Sequence, residues 1–571
     1  MEKPVSFRFF DQKISLTFRQ NSPTMKSPAL LLIALLSLFS WYCKQQQKPA
    51  EENQKIEGLF ANMGNLNHPV TTKSDAAQKL FNQGFTLMYG FNHEEAVRSF
   101  QHALKYDSTL AMAYWGIAFC YGSNYNWPAD LNATRLAYQN IKIAESLQGN
   151  ASQSEKDYIN ALAVRYTDDS TADLHALEIK YSQAMKALSE KYPDDLDART
   201  LYAESMMNLH PWDLWSKDGV PNENTMDIIA ALEYVLSKDS LHIGANHYYI
   251  HASEMSPHPE QALSSARRLA TLVPAAGHLV HMPAHVYMRT GNYAGANQAN
   301  AIAANVDSTY ITVNNIQGIY PMLYYTHNLH FLAIGCLFVG KDKEAEEKIT
   351  EAMKQVDPMM AVQVPLMQFL TASPYQLMVG AEDWDGILNY PKPDSMLNVT
   401  TAMWHWSRAI ANLEKGDMKA ATTEQKSFEA ITKTIPADQP YGLGGVKPIV
   451  DVTTNILSAK MSEKKKDMKL AEAFYKKAVD AEKNVHYDEP PDWFLPTGNM
   501  LGGFYLRNGK YAEAESAFRE SLQMFPNNAK GLYGLSEALK GQNKTDEAAK
   551  AKSEFDVAWK DADKPLTTAD L

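Results

Sequence analysis

The sequence predicts an all-α solenoid of stacked helical hairpins, and three observations carry that reading. His247 and His251 recur 34 residues later as His281 and His285, an interval that matches a two-helix repeat unit. Apolar residues keep a helical period over nearly all of residues 71–562, punctuated by Gly, Pro and Asp-rich turns and interrupted by no useful strand-like alternation. Small residues and prolines fall at fixed offsets along the chain, where they let paired helices approach closely. With 45% hydrophobic and 21% charged residues the chain has the composition of an ordinary folded protein, and a repeat array buries its core continuously, so one elongated body is expected. A net charge of −12 and a pI near 5.8 argue against nucleic-acid binding.

From the N-terminus, residues 1–43 read as a signal region, 44–70 as a polar linker and 71–571 as the solenoid. Lys26 precedes an apolar run from Ala29 to Tyr42, too short to span a bilayer, which needs about 20 residues, but of secretory-signal length. Met25 reads as the start of that signal. Cys43, at the end of the run and followed by the polar Lys44–Glu52 stretch, resembles the lipidated cysteine of a bacterial lipoprotein. This implies export to the periplasm or outer membrane, with a lipid anchor at Cys43. Tyr42 stands where such signals favour a small residue, so simple export is the alternative. Cys120 and Cys336, in apolar helical stretches, read as packed thiols, and three cysteines supply neither a disulfide framework nor a thiolate metal cage.

Residues 77–110 carry Gly84, Ala96, Phe100 and Ala103 at repeat places 8, 20, 24 and 27, and Trp115, Gly116 and Ala118 open the next hairpin. In residues 495–562, Gly502, Ala514, Phe518 and Pro526 repeat the pattern, and Ala548 continues it. The chain resembles the tetratricopeptide repeat family at both ends, which implies a right-handed superhelix with a concave ligand groove. Between the ends, Ala262 and Pro274 set a repeat from Ile243, Ala296 and Ala303 one from Gly277, and Ala345 and Ala352 one from Thr326. A weaker repeat from Thr401 rests on Gly416 and Ala420. Inserts around 216–225 and 307–320 are expected as loops over the groove.

In the tetratricopeptide family, places 2, 5 and 9 of the first helix face the groove. In the repeats of residues 243–359 these places hold His247, His251, His278, His281, His285, His327 and His330, with Glu254 one turn beyond His251. Histidine takes seven of nine groove places, where chance would supply about a quarter of one. Two histidines four residues apart share a helix face, the spacing helical metal sites use. His247, His251, His281 and His285 therefore form the expected binding set for zinc, iron or copper, with His278, His327 and His330 close by as a second ion's ligands or an outer layer. Pro283 is expected to kink its helix and re-aim His281 and His285. The segments around His247 and His281 also resemble a group of bacterial tetratricopeptide proteins, which implies no particular reaction.

One or two transition-metal ions in the groove imply a metal-dependent hydrolase or oxidase of unknown substrate, with Glu254 or Glu204 as candidate base or bridging ligand. No nucleophile, phosphate-loop or dinucleotide motif supports another mechanism. The alternative is a protein-interaction scaffold whose groove histidines bind a peptide or partner, and a third reading is a pH-sensing groove. His405 and Glu204 are second-rank members of the groove set, and His210, one and a half turns beyond Glu204, is expected near the groove mouth. His68, His93, His102, His175, His242 and His258 read as packing residues, as do Tyr248, Tyr249, Tyr287, Tyr324, Tyr325, Trp212 and Trp215. His486–Trp493 reads as a turn, with Asp492 capping the next helix.

Overall fold

The computed structural model describes residues 56–571, so the signal region and Cys43 lie outside the described residues. Glu57–Leu571 form one compact unit. It is all-α: among the described residues the only paired strands are the two-residue Pro440–Tyr441 and Gly444–Gly445. No described helix is long and apolar enough to cross a membrane.

The repeat places work as close-packing devices. Phe100 of the His93–Tyr106 helix is wedged between Gly84 of the preceding helix and Gly116 of the following one, where an added Cβ would sit 2.6 and 2.5 Å from its ring. Phe518 fills the same place between Gly502 and Gly534. Ala96, Ala103, Ala262, Ala296, Ala303, Ala345, Ala352 and Ala514 are fully buried. The histidine-rich hairpins are Ile243–Glu254 with Leu263–Leu272, then Gly277–His281 and Pro283–Arg289 with Tyr293–Asn314, then Thr326–Phe338 with Asp342–Met353.

Four expectations change. The array does not contact only its neighbours: Gly244 packs on the Tyr89 ring, the Asp563 amide donates to the Gly340 carbonyl at 2.8 Å, and Lys530 reaches the Gly380 carbonyl at 3.1 Å. Both terminal hairpin regions thus pack on the middle of the chain, because the small residues there leave room for close approach. Residues 57–70 are not a free linker: Met63 and Val70 are buried and His68 donates to Asp197 at 2.7 Å. Asp307–Asn314 is no loop, because the helix runs on from Tyr293 to Asn314 before a π-turn at Pro321–Tyr325. Asp492 caps nothing: the next helix begins at Thr497 behind Pro496, and Asp492 is buried with one carboxyl oxygen unpartnered.

Candidate metal centre

The Ile243–Glu254 helix is capped by its own preceding histidine: His242 accepts from the Ala245 amide through Nδ1. Its Nε2–H is thereby free to donate to Asp197 at 3.2 Å. Asp197 also accepts from His68 and from the Tyr89 hydroxyl at 2.7 Å. Burial works against its ionisation, but the hydrogen bonds from His242 and His68 win and hold its carboxyl far below the ordinary range. Tyr89 ties this outer network to the interior, because its carbonyl accepts from His247 Nδ1 at 2.5 Å.

Pro283 lacks the amide that would continue the ladder, and the helix breaks there, with Gly277–His281 on one side and Pro283–Arg289 on the other. That break divides the histidines differently from the expected set of four. His247, His251 and His278 bring one ring nitrogen each to within 4.8 Å of one another, and His281, His285 and His327 form a second triad by the same measure. All but the partly exposed His327 are buried. His330 joins neither triad. Its Nε2 lies 2.8 Å from Ser373 Oγ, and its ring packs beside Phe369 and Phe494.

Hydrogen bonds at Nδ1 assign the protons. His281 donates to Asn300 Oδ1 at 2.5 Å, His251 to Glu254 Oε1 at 2.8 Å, and His285 to Glu254 Oε2. Glu254, fully buried, therefore links one member of each triad. In the second triad His281 Nε2 lies 2.7 Å from His285 Nε2 and 3.0 Å from His327 Nε2. With Nδ1 of both His281 and His285 protonated, two Nε2 lone pairs face each other, an arrangement that repels unless a cation lies between them. Nitrogens around one ion at ~2.0–2.1 Å stand roughly 3.3 Å apart. In the first triad Nε2 of His247, Nε2 of His251 and both nitrogens of His278 are buried without a partner, a costly state for polar atoms that a metal would relieve.

Burial and neighbouring imidazoles hold His247, His278, His281 and His327 well below the usual imidazole range. They stay neutral, the ligating form. Burial opposes ionisation of Glu254 too, but the electrostatic pull of the His285 and His251 rings and the N–H bonds they donate outweigh it and hold the carboxyl at about 2. With both oxygens occupied, Glu254 is an orienting partner rather than the base expected of it. Glu204 belongs to a different cluster. It accepts from Asn208 at 2.5 Å, and burial, opposed by Arg165, pushes its carboxyl up to about 7. His405 pairs with Glu424 at 2.6 Å, and His210 is placed in no triad.

Aromatic side chains wall the first triad. The Phe91 ring centre lies 4.7 Å from His247 and 5.7 Å from His278, Trp212 5.7 Å and Tyr125 5.1 Å from His251, and Tyr324 5.1 Å from His278. Trp212 and Tyr324, expected as helix packing, thus line the site. Phe91 and Trp212 both hold a left-handed backbone, φ 55° and 56°. Bulky residues rarely adopt it, and such strain, about 1–3 kcal/mol each, gathers at functional sites. Sequence reasoning passed over Asn300, although it stands at place 24, where the terminal repeats carry Phe100 and Phe518. A polar residue in that apolar place was the available signal.

A family model described as a tetratricopeptide repeat matches residues 505–551. No curated protein matches. Among solved structures, the chain is similar to the APC/C hetero-tetramer Cut9–Hcn1 at 14% identity, covering 89% of this chain and 82% of that one, with a TM-score of 0.29. It is similar to yeast Tom70 at 13%, covering 85% and 93%, with a TM-score of 0.30. It is also similar to a human IFIT1 dimer with m7Gppp-AAAA at 13%, covering 85% and 91%, with a TM-score of 0.31. The chain is an all-α solenoid of helical hairpins with a tetratricopeptide repeat at residues 505–551.

Proposed function

We propose that the protein binds a transition-metal ion, zinc, iron or copper, in its buried histidine centre. The observation that carries this reading is the second triad, where unprotonated Nε2 atoms of His281 and His285 face each other at 2.7 Å with His327 Nε2 at 3.0 Å from the first. Asn300 and Glu254 supply the outer partners that orient metal-bound imidazoles and fix their tautomers. A bound ion would supply a Lewis acid or a redox centre for a hydrolase or oxidase. Phe331 packs beside the second triad, and Phe91, Tyr125 and Trp212 wall the first. Export and a lipid anchor at Cys43, placing the protein in the periplasm or outer membrane, belong to the same proposal. Elemental analysis of the purified protein tests the metal reading. Near-stoichiometric metal, lost in a His247→Ala/His281→Ala double variant, is expected, and metal-free protein after loading with zinc, copper and iron refutes it.

A second reading, a scaffold that binds a partner protein or peptide, is favoured by the tetratricopeptide match at residues 505–551. Its groove would not be the one expected, because six of the seven histidines at the groove places are buried. It predicts partner binding that survives a chelator and the double variant. Binding abolished by both would exclude it as an independent function.

A further inference from the structure

We propose that the two histidine triads are halves of one dinuclear centre and that the ions they take are copper(I). This rests on the metal-binding reading and goes beyond it in ion number and class. The triads are not independent. Glu254 accepts from His251 of the first and from His285 of the second, and those two rings are 5.6 Å apart between centres. His278 and His281, one from each triad, sit three residues apart with ring centres 5.8 Å apart. A carboxylate that orients one ligand in each half makes the occupancy of either half felt by the other.

Charge selects the ion. Each triad offers three neutral imidazoles, and Glu254 is the carboxylate that groups with them among the described residues. Two divalent ions would bring four positive charges against that single negative one, in a site walled by Phe91, Trp212, Tyr125 and Phe331. Burying uncompensated charge is expensive. Two copper(I) ions bring two, so the excess falls from three charges to one. Copper(I) is also satisfied by three donors, the number each triad supplies, whereas zinc on three imidazoles needs a water as its fourth ligand, and the aromatic walls leave little room for one. Imidazole suits copper and zinc alike, so charge and donor number make the choice rather than ligand type.

The test is an anaerobic titration of the full-length protein with copper(I) held by bicinchoninate, repeated with an equal concentration of zinc, with X-ray absorption at the copper edge to count donors. Two copper(I) per chain, each with three nitrogen donors and undisplaced by zinc, are expected. His278→Ala and His327→Ala should each lose one of the two, with the circular dichroism spectrum unchanged. Saturation at one copper(I), zinc bound in preference to copper, or both ions kept after His278→Ala would overturn the proposal while leaving metal binding standing. A chain that takes neither ion would overturn the metal-binding reading itself. The count on the unsubstituted protein decides the matter even where a variant fails to fold.

Discussion

Replacing Glu254 by Gln probes the link between the triads most directly. The carboxylate accepts from two imidazole N–H groups at once, whereas an amide has one carbonyl oxygen and one donor NH2. One histidine, His251 or His285, then faces a donor with its own N–H and must move its proton to Nε2, which removes a ligating lone pair from one triad only. Losing one charge-assisted hydrogen bond costs ~1.5–3 kcal/mol, which at ~1.4 kcal/mol per factor of ten is about 10–100-fold in affinity, the range seen when outer partners of metal ligands are removed. The metal-free protein should also weaken. A carboxyl held at about 2, below the ordinary 4.5, contributes stability that is fully present above pH 4.5 and fades as pH falls from 4.5 toward 2. Competition with a fluorescent zinc indicator reads the first effect, and urea unfolding of metal-free protein at pH 7 the second. Two association constants both within about threefold of the parent's, in a folded variant, would refute the reasoning.

Acidification acts on the histidines in the same direction but in a higher window. His247, His278, His281 and His327 titrate well below the usual 6.5 and His330 at about 3. The unfolded chain therefore binds more protons as pH drops below 6.5, and the metal-free protein should lose ~1 kcal/mol per histidine by about pH 5.5. A melting temperature that stays flat between pH 7 and 5 would contradict this. His330→Ala should leave the metal content unchanged, since its nitrogen meets Ser373 and no triad, and loss of an ion in elemental analysis would return it to the ligand set. Gly116→Ala forces a methyl against the ring of Phe100 and should cost about 1–3 kcal/mol in urea unfolding. A change within 0.5 kcal/mol, roughly the noise of a surface substitution, would show that the ring shifts freely.

Much of this was legible in the chain. Gly84, Phe100, Gly502 and Phe518 marked close helix contacts from spacing alone, and six of the seven histidines at groove places come together as the spacing led one to expect. Their division into two triads was not legible, because it depends on the break at Pro283 and on which side of it each ring falls. His327 and His330 illustrate the limit. Three residues differ by about 60° around a helix, enough to send His327 into a triad and His330 toward Ser373. The strained backbones of Phe91 and Trp212 leave no mark in sequence, since local propensity disfavours them and only the surroundings impose them. Glu254 was picked out for its place, but its chemistry was set by partners 31 residues and three residues away.

The packing of Tyr89 on Gly244, and of the C-terminal residues on Gly340 and Gly380, changes how this chain should tolerate being shortened. A linear stack of repeats can lose an end unit and keep the rest, since each unit leans only on its neighbour. Here an end hairpin is also a wall or prop for the centre: removing residues 75–106 would take away Phe91 and the carbonyl that holds His247. Trimming from either end should cost the whole assembly rather than one repeat's share, so the minimal folding unit and the intact chain are nearly the same object.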